Sequence, residues 1–431
     1  MTAVSSLSAD ALLREIGPAR ELYVSGCAAE ITALPDLLGD ALADATVTSI
    51  LSPLINLRSY ASLGSGRRCR SFFMNADIKR HMAVGLVDLC PWSYSQVVYW
   101  FTNEVTIDAA VVMVSRPDQN GMVSLGVQTD FLPLFQHRVG RLIGVINPRM
   151  PRTMGAGQIA LTDFAAVFEI DQPLLSPAPL EDGIDAETKT VADNVAALVP
   201  DGATIQLGLG KVSQAVARSL VGHKRLGVVS GLVDDNVLFL EGKGALDRSR
   251  PIVTGAVIGS AELYRELDEN PRFRFTTTAE THGLNSLLGL ESFYSINTAL
   301  QVDLFGQVNS EMVNGRIIGT PGGFPDFLRG ASMNPTGSAI VAVRARGGPK
   351  TAPGIVAQMS SPASVTVPKT DIDVVVTEFG VAPVRSLSLD ARAEALIGIA
   401  APEDRDRLQN EWDAFRGTGN NKVERSERVA S

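Results

Sequence analysis

The chain has 431 residues, 45% hydrophobic and 20% charged, with a net charge of −9 at pH 7. This is length for two or three domains and ample core, in a globular composition. It excludes a broad basic field for nucleic acid, since Arg67-Arg68-Cys69-Arg70 is only a local cluster, read as a solvated loop or a small anion contact.

Residues 9–22 carry Leu12, Leu13, Ile16 and Leu22 at helical spacing, with Ser8 or Asp10 as the cap. The spacing of residues 24–28 predicts a strand entering a small-residue turn, that of 34–45 a helix, and that of 72–84 a strand-to-helix passage. Residues 109–115 (AAVVMVS) read as a buried strand, and the Asn120-Gly121 turn after it fits a tight hairpin. Two more apolar runs, 141–147 and 165–170, flank a proline-rich irregular stretch at 147–153. Residues 173–183 (PLLSPAPLEDG) form the best linker, and place a domain boundary between 1–178 and 179–431.

After a helix at 186–198, residues 202–235 carry the main pattern. An apolar run ends in Gly208-Leu209-Gly210, Val212, Ala215, Val216 and Leu220 follow at helical spacing, and a second apolar run covers 226–233. This is a βαβ unit with its turn at the carboxyl end of a strand, where backbone N–H groups can meet an anion. Strands are expected at 251–258, 272–278, 338–343 and 373–377, and an extended run at 295–307. Helices are expected at 260–267, 389–400 and 403–415, before a polar tail from Gly417. The alternation gives an α/β class with largely parallel sheets.

Gly208-x-Gly210 lacks the third glycine of a dinucleotide fingerprint, and no phosphate-loop Gly-Lys-Ser/Thr follows. A structural turn and a ligand loop both stay open, as they do for Gly319-Thr-Pro-Gly322-Gly323. Asn297 lies among apolar neighbours and must be hydrogen-bonded, to a neighbouring strand or to a substrate carbonyl. His81, His137, His223 and His282 have no metal spacing and adjoin no obvious nucleophile, and Cys27, Cys69 and Cys90 suit a reducing cytosol. No leader and no membrane-spanning stretch is evident, so the expected location is cytoplasmic, with no membrane partner.

Taken together, the motifs resemble those of the acetyl-CoA hydrolase/transferase family of the class I CoA-transferase superfamily. DAAVVMVSRPDQNGMVSLGV, INPRMPRTMG, DGATIQLGLGKVSQAV, SINTALQVDLFGQVNSE, GTPGGFPDFLRGA and VVTEFGVAPVRSLSLDARAEALIGIAAP each resemble a family segment, in order along nearly the whole chain. The resemblance implies two CoA-transferase-type α/β domains and an acyl-CoA substrate, with coenzyme A as the carrier. A carboxylate partner and a homo-oligomer, by default a homodimer, go with it, and no metal is expected. In such enzymes a glutamate attacks the thioester and carries CoA covalently. The resemblance assigns Asn297 a catalytic role. It gives Gln206, Gly208, Leu209, Gly210, Gly322 and Gly323 to oxyanion and substrate binding.

The nucleophile is where this chain departs. The flanks of LGVVSGLVDDN align without a gap, and Gly231 stands where the family has glutamate. Asp234 and Asp235 lie too far along the strand to replace it, which leaves Glu280 and Glu311 as candidates from other loops. The implied activity is acyl-CoA chemistry without a glutamyl-CoA intermediate, by hydrolysis or another route. CoA transfer using another glutamate and non-catalytic acyl-CoA binding are the alternatives. An empty space the size of a carboxyethyl group is expected beside Gly231.

Overall fold

The structure is a computed structural model that describes residues 4–178, 183–347 and 352–429. Residues 179–182 of the expected linker lie outside the described residues.

Two large sheets organise the chain. The first contains β1 (Val4–Ser6), β2 (Glu21–Val24), β3 (Thr46–Ser49), β4 (Arg68–Ser71), β5 (Val87–Leu89), β6 (Ala109–Val114), β7 (Arg141–Ile146) and, beyond a short β8 (Met154–Gly155), β9 (Ala166–Glu169). Its order is β1-β9-β7-β6-β2-β3-β4-β5, with every pair parallel. The second contains β10 (Thr204–Leu207), β11 (Gly227–Val233), β12 (Ile252–Val257), β13 (Phe273–Phe275), β14 (Phe293–Thr298), β15 (Ser338–Ala342), β16 (Val374–Thr377) and β17 (Gly380–Pro383). Its order is β17-β16-β15-β14-β10-β11-β12-β13-β8, antiparallel only between β16 and β17. The α/β class with largely parallel sheets is therefore observed.

In each sheet the strand order reverses once. The chain steps outward from β2 through β5 and returns to β6 on the other side of β2. It likewise steps from β10 through β13 and returns to β14 on the other side of β10. Such switch points leave a crevice outside the strand carboxyl ends, which is where open α/β sheets bind ligands.

The halves are locked together. β8, from the first half of the chain, adds a strand to the second sheet beside β13. Thr129 and Asp130 both donate their N–H to the Gly255 carbonyl, at 2.9 and 3.1 Å. One apolar core runs from Leu12 to Val376 and includes residues of both sheets, while a second, from Leu287 to Trp412, gathers part of the second sheet and the terminal helices.

Several elements differ from expectation for local reasons. The first helix stops at Ile16 because Gly17, at φ +64, and Pro18 break it, so Leu22 belongs to β2. Ser8 takes the N-cap position without a capping hydrogen bond. The second helix is only Leu34–Leu38, ending at Gly39. The expected strand-to-helix passage at 72–84 has its helix at Ala76–Met82 but its strand earlier, as β4, which brings the arginine cluster into the sheet. Arg67 is buried and donates to the Tyr60, Gly39 and Ala41 carbonyls at 2.7–2.9 Å, Arg68 pairs with Asp88, and Arg70 pairs with Glu21 at 2.7 Å. The cluster is thus bound within the protein at a sheet strand rather than carried on a solvated loop. After the Asn120-Gly121 turn, Met122–Ser124 pairs with Gln158–Ala160 rather than with β6. The last helix, Pro402–Val429, continues past Gly417.

Candidate active site

β10 ends at Leu207 and the helix Lys211–Ser219 begins four residues later. Gly210 turns the chain between them at φ +103, where an L side chain is strained. Gly208 passes so near β14 that a Cβ there would lie 2.9 Å from Asn297 Oδ1. Its own N–H donates to the Ile296 carbonyl at 2.9 Å, but those of Leu209 and Gly210 have no protein acceptor among the described residues.

The second loop is built the same way. Gly322 sits at φ +54, and its carbonyl accepts from Tyr94 N at 3.1 Å. The Thr320 hydroxyl donates to the Phe72 carbonyl, and Ser95 N and Oγ donate to Asp326 at 3.0 and 2.6 Å. These bonds tie the loop to the first half of the chain. Gly322 also pairs with Ser93 as a parallel bridge, which engages its N–H as well, so of the two glycines only the Gly323 N–H has no protein acceptor among the described residues. Three backbone donors, on Leu209, Gly210 and Gly323, are therefore uncommitted among the described residues along one crevice, the arrangement that stabilises a developing oxyanion.

A cleft of about 370 Å³ joins the two loops. Its wall contains every residue that the family resemblance assigned to the site: Gln206, Gly208, Leu209, Gly210, Gly231, Asn297, Gly322 and Gly323. Cys27, at the carboxyl end of β2, and Phe73 and Tyr94 come from the first half. The switch points of both sheets thus contribute to it.

Asn297 is part of a closed amide network. Its Nδ2 donates to Gln206 Oε1 at 2.7 Å and to Ser295 Oγ at 2.9 Å, and its Oδ1 accepts from Gln206 Nε2 at 3.3 Å. Ser295 Oγ in turn donates to Gln206 Oε1 at 2.7 Å. Both N–H bonds of the Asn297 amide are used within the protein, so a substrate carbonyl would have to displace one of them. Strand pairing places Gln206 directly opposite Ser295, which makes the network a product of sheet register.

The space beside Gly231 is filled. A Cβ at Gly231 would lie 2.8 Å from His282 Nε2, and one at Gly323 would lie 2.7 Å from His282 Cδ2. The imidazole stands between these two glycines, with ring centroids 5.0 Å from Tyr94 and 4.2 Å from Phe327. This corrects the expectation of an empty pocket. Nδ1 lies 2.8 Å from Thr281 Oγ1, and burial depresses the ring's pKa to about 3, so it is neutral.

No Asp, Glu, Lys or Arg is among the described residues lining the cleft. Glu280 is bound to Arg274 at 2.7 Å and to Thr276, away from the wall. Glu311 is buried and accepts from Ser364 Oγ at 3.2 Å. Asp234 accepts from Asn236 N and Nδ2 at 3.0 and 3.1 Å, and burial raises its pKa to about 6. Asp235 accepts from Ser260 N and Oγ. Neither sequence candidate for a replacement carboxylate, Glu280 or Glu311, is brought to the site. His282, Tyr94 and Cys27, which are brought there, carried no site signal in spacing or neighbours. Among the described residues no group of His, Cys, Asp or Glu is placed to hold a metal, and no helix is long and apolar enough to cross a membrane.

Residues 39–176 match the acetyl-CoA hydrolase/transferase N-terminal domain and residues 259–412 the C-terminal domain. The 4-hydroxybutyrate coenzyme A transferase of Clostridium kluyveri is 33% identical over 82% of this chain and 84% of its own length. The acetyl-CoA hydrolase of Saccharomyces cerevisiae is 28% identical over 48% of this chain and 40% of its own. Among solved structures, RipA of Yersinia pestis superposes with a TM-score of 0.85 at 26% identity, covering 96% of this chain and 98% of that one. With two domain matches in order and a full-length likeness to known relatives, the chain belongs to the acetyl-CoA hydrolase/transferase family.

Proposed function

We propose that this protein acts on an acyl-CoA thioester without passing CoA through an enzyme carboxylate, hydrolysis being the simplest such reaction. One observation carries this reading: no described residue of the cleft wall is a carboxylate, and the position that aligns with the family glutamate is Gly231. An acyl-carboxylate anhydride needs a nucleophilic oxygen within bonding reach of the thioester carbon. The uncommitted N–H groups of Leu209, Gly210 and Gly323 support a carbonyl-polarising role for the two loops. On this reading coenzyme A enters as part of the substrate, and Gln206 and Asn297 hold the floor on which the thioester rests. The chain works as two halves, 1–178 and 179–431, in a homo-oligomer.

The test is incubation of the full chain with a panel of acyl-CoAs, in H2 18O, with and without acetate. Release of free CoA with the label in the acid product, and no protein-bound CoA by intact mass, is the expected result. A CoA adduct on a glutamate, with ping-pong exchange between two carboxylates, would establish transfer instead, the activity named for the Clostridium kluyveri relative. Tight binding of acyl-CoA without turnover would leave a binding protein.

A further inference from the structure

His282 is the titratable side chain that the sequence offered least reason to single out, and it sits at the centre of the cleft. It follows the short helix Thr278–Thr281. Its ring closes against Tyr94 from the first half and Phe327 from the helix after the second glycine loop. The backbone around it is pared down to glycine on two sides, at Gly231 and Gly323, neither of which could carry a Cβ with the ring in place.

The two ring nitrogens differ. Nδ1 lies 2.8 Å from the Thr281 hydroxyl, which donates its own proton toward the Thr277 carbonyl at 3.4 Å. With its own proton directed at that carbonyl, the Thr281 oxygen is the acceptor toward the ring, so the ring proton belongs on Nδ1. Nε2 has no protein hydrogen bond among the described residues, and the ring lines the cleft with Nε2 set between Gly231 and Gly323. A histidine buried for packing alone normally satisfies both nitrogens; this one leaves an acceptor facing the cleft.

We infer that His282 Nε2 is the acceptor that binds and deprotonates the water attacking the acyl-CoA thioester, a role that rests on the hydrolytic reading above. The thioester oxygen lies against the free N–H groups of the glycine loops. The water oxygen forms a bond to the carbonyl carbon as its proton passes to Nε2. The C–S bond then breaks, and the CoA sulfur takes that proton back from Nε2. The balance is R–CO–S–CoA plus water giving R–COOH plus HS–CoA, with water as the only co-reactant. Nδ1 keeps its proton throughout, held by the Thr278–Thr281 turn. The depressed basicity of the buried ring keeps the lone pair available at all ordinary pH values. The imidazolium formed in the reaction is compensated by the oxyanion across the cleft.

The variant that separates chemistry from packing is His282→Asn, whose amide nitrogen can keep the Nδ1-side contact while nothing replaces Nε2. Thiol release is followed with acetyl-, butyryl- and benzoyl-CoA, and CoA binding is measured separately by calorimetry. The inference expects kcat to fall about 100- to 10,000-fold, as for a lost general base, with KM and CoA affinity within about threefold of the parent. His282→Ala should regain turnover when imidazole is added. The unmodified protein should show a normal solvent deuterium effect of about two- to threefold on kcat, from the proton in flight. That measurement needs no variant and stands even if neither substitution folds. Hydrolysis by His282→Asn within threefold of the parent, or no solvent isotope effect, overturns the role of His282 while leaving hydrolysis intact. A parent protein that binds CoA but releases no thiol from any of the three overturns the hydrolytic reading and this inference with it.

Discussion

The two polar sides of the cleft are built on opposite principles. On one side Gln206, Ser295 and Asn297 satisfy one another, with the Asn297 donors spent inside the protein. On the other, His282 is pressed between two glycines with one nitrogen bonded and one facing the crevice. The amide side is a rigid floor whose polar groups are committed by strand register. The imidazole side is held by packing and by glycine, and keeps an acceptor in reserve. A residue type that fits a catalytic pattern can thus be saturated by its neighbours, while chemistry remains available at a residue no pattern points to.

The comparison breaks most sharply at Gly231. Gly231→Glu restores the residue that the resemblance implies for a transferase, but its Cβ would lie 2.8 Å from His282 Nε2 and nearer still to the ring carbon beside it. Overpacking of this kind costs about 3 kcal/mol or more when the neighbour cannot move, and His282 is wedged by Tyr94 and Phe327. The single variant should lose stability in urea unfolding and show no CoA adduct. Gly231→Glu combined with His282→Ala should recover most of that stability and allow a CoA adduct detectable by mass. Equal stability of the single and double variants would mean that the ring is free to leave.

Asn297→Ala tests the amide side. It leaves Gln206 with an unpaired donor, so the expected cost is about 1–3 kcal/mol of stability. If one Asn297 donor is lent to the thioester carbonyl during turnover, kcat should also fall about 10- to 1000-fold. Ser295→Ala removes two network bonds, to Asn297 Nδ2 and Gln206 Oε1, without removing that donor, and should lose stability alone. Parallel losses of kcat in both variants would make the network structural.

Much of this layout is legible in the sequence. The strand, Gly208–Gly210 turn, helix and strand over 202–235 read correctly because hydrophobic period and glycine position agree there. Gly231 was visible as a departure because the flanks align without a gap. Leu22 misled because its spacing fits a helix that Gly17-Pro18 has already ended. Arg67–Arg70 misled because charge alone cannot reveal that β4 has neighbours on both sides, with carbonyls and carboxylates waiting. His282 was illegible for a tertiary reason: its glycine partners come from β11 and from the 319–323 loop, both far along the chain, and only folding sets the ring between them.

Two of the buried ionisable groups near the cleft, His282 and Asp130, should oppose each other with pH. Burial drops the His282 pKa to about 3, so its contribution to stability is complete above an unfolded value of about 6.5 and is lost as pH falls toward 3. Burial raises the Asp130 pKa to about 7, so its contribution is complete below about 3.9 and is lost as pH rises through 7. Tyr23, Cys27 and Tyr94, all pushed upward by burial, stay neutral in this window. Each active slope is about 1.4 kcal/mol per pH unit, with opposite sign. These two contributions therefore nearly cancel between pH 5 and 6.5. Relative to the parent, His282→Gln should lose about 2 kcal/mol as pH rises across that span, and Asp130→Asn should gain about 2 kcal/mol. Variant and parent curves that run parallel in urea titrations would show that neither group is shifted in the native state.

The smallest effect concerns how the second glycine loop is held. Ser95 donates from N and Oγ to Asp326, in the first turn of the helix Phe324–Met333, and Tyr94 N bonds the Gly322 carbonyl. These contacts come from the first half of the chain, while the loop belongs to the second. Ser95→Ala removes the 2.6 Å hydroxyl bond to Asp326 together with the 2.9 Å contact to Ser93 Oγ, and leaves the backbone bond at 3.0 Å. The global cost should be about 1 kcal/mol, the net worth of one such hydrogen bond. The local consequence is more telling. Amide exchange at Tyr94 and Phe324, bonded to the Gly322 and Pro321 carbonyls, should quicken several-fold while exchange at Gly208 stays unchanged, since the first loop is anchored within its own sheet by the Gly208–Ile296 bond. Faster exchange at both loops would mean that they move as one body and that the anchoring of the second loop to the first half is shared by the whole cleft.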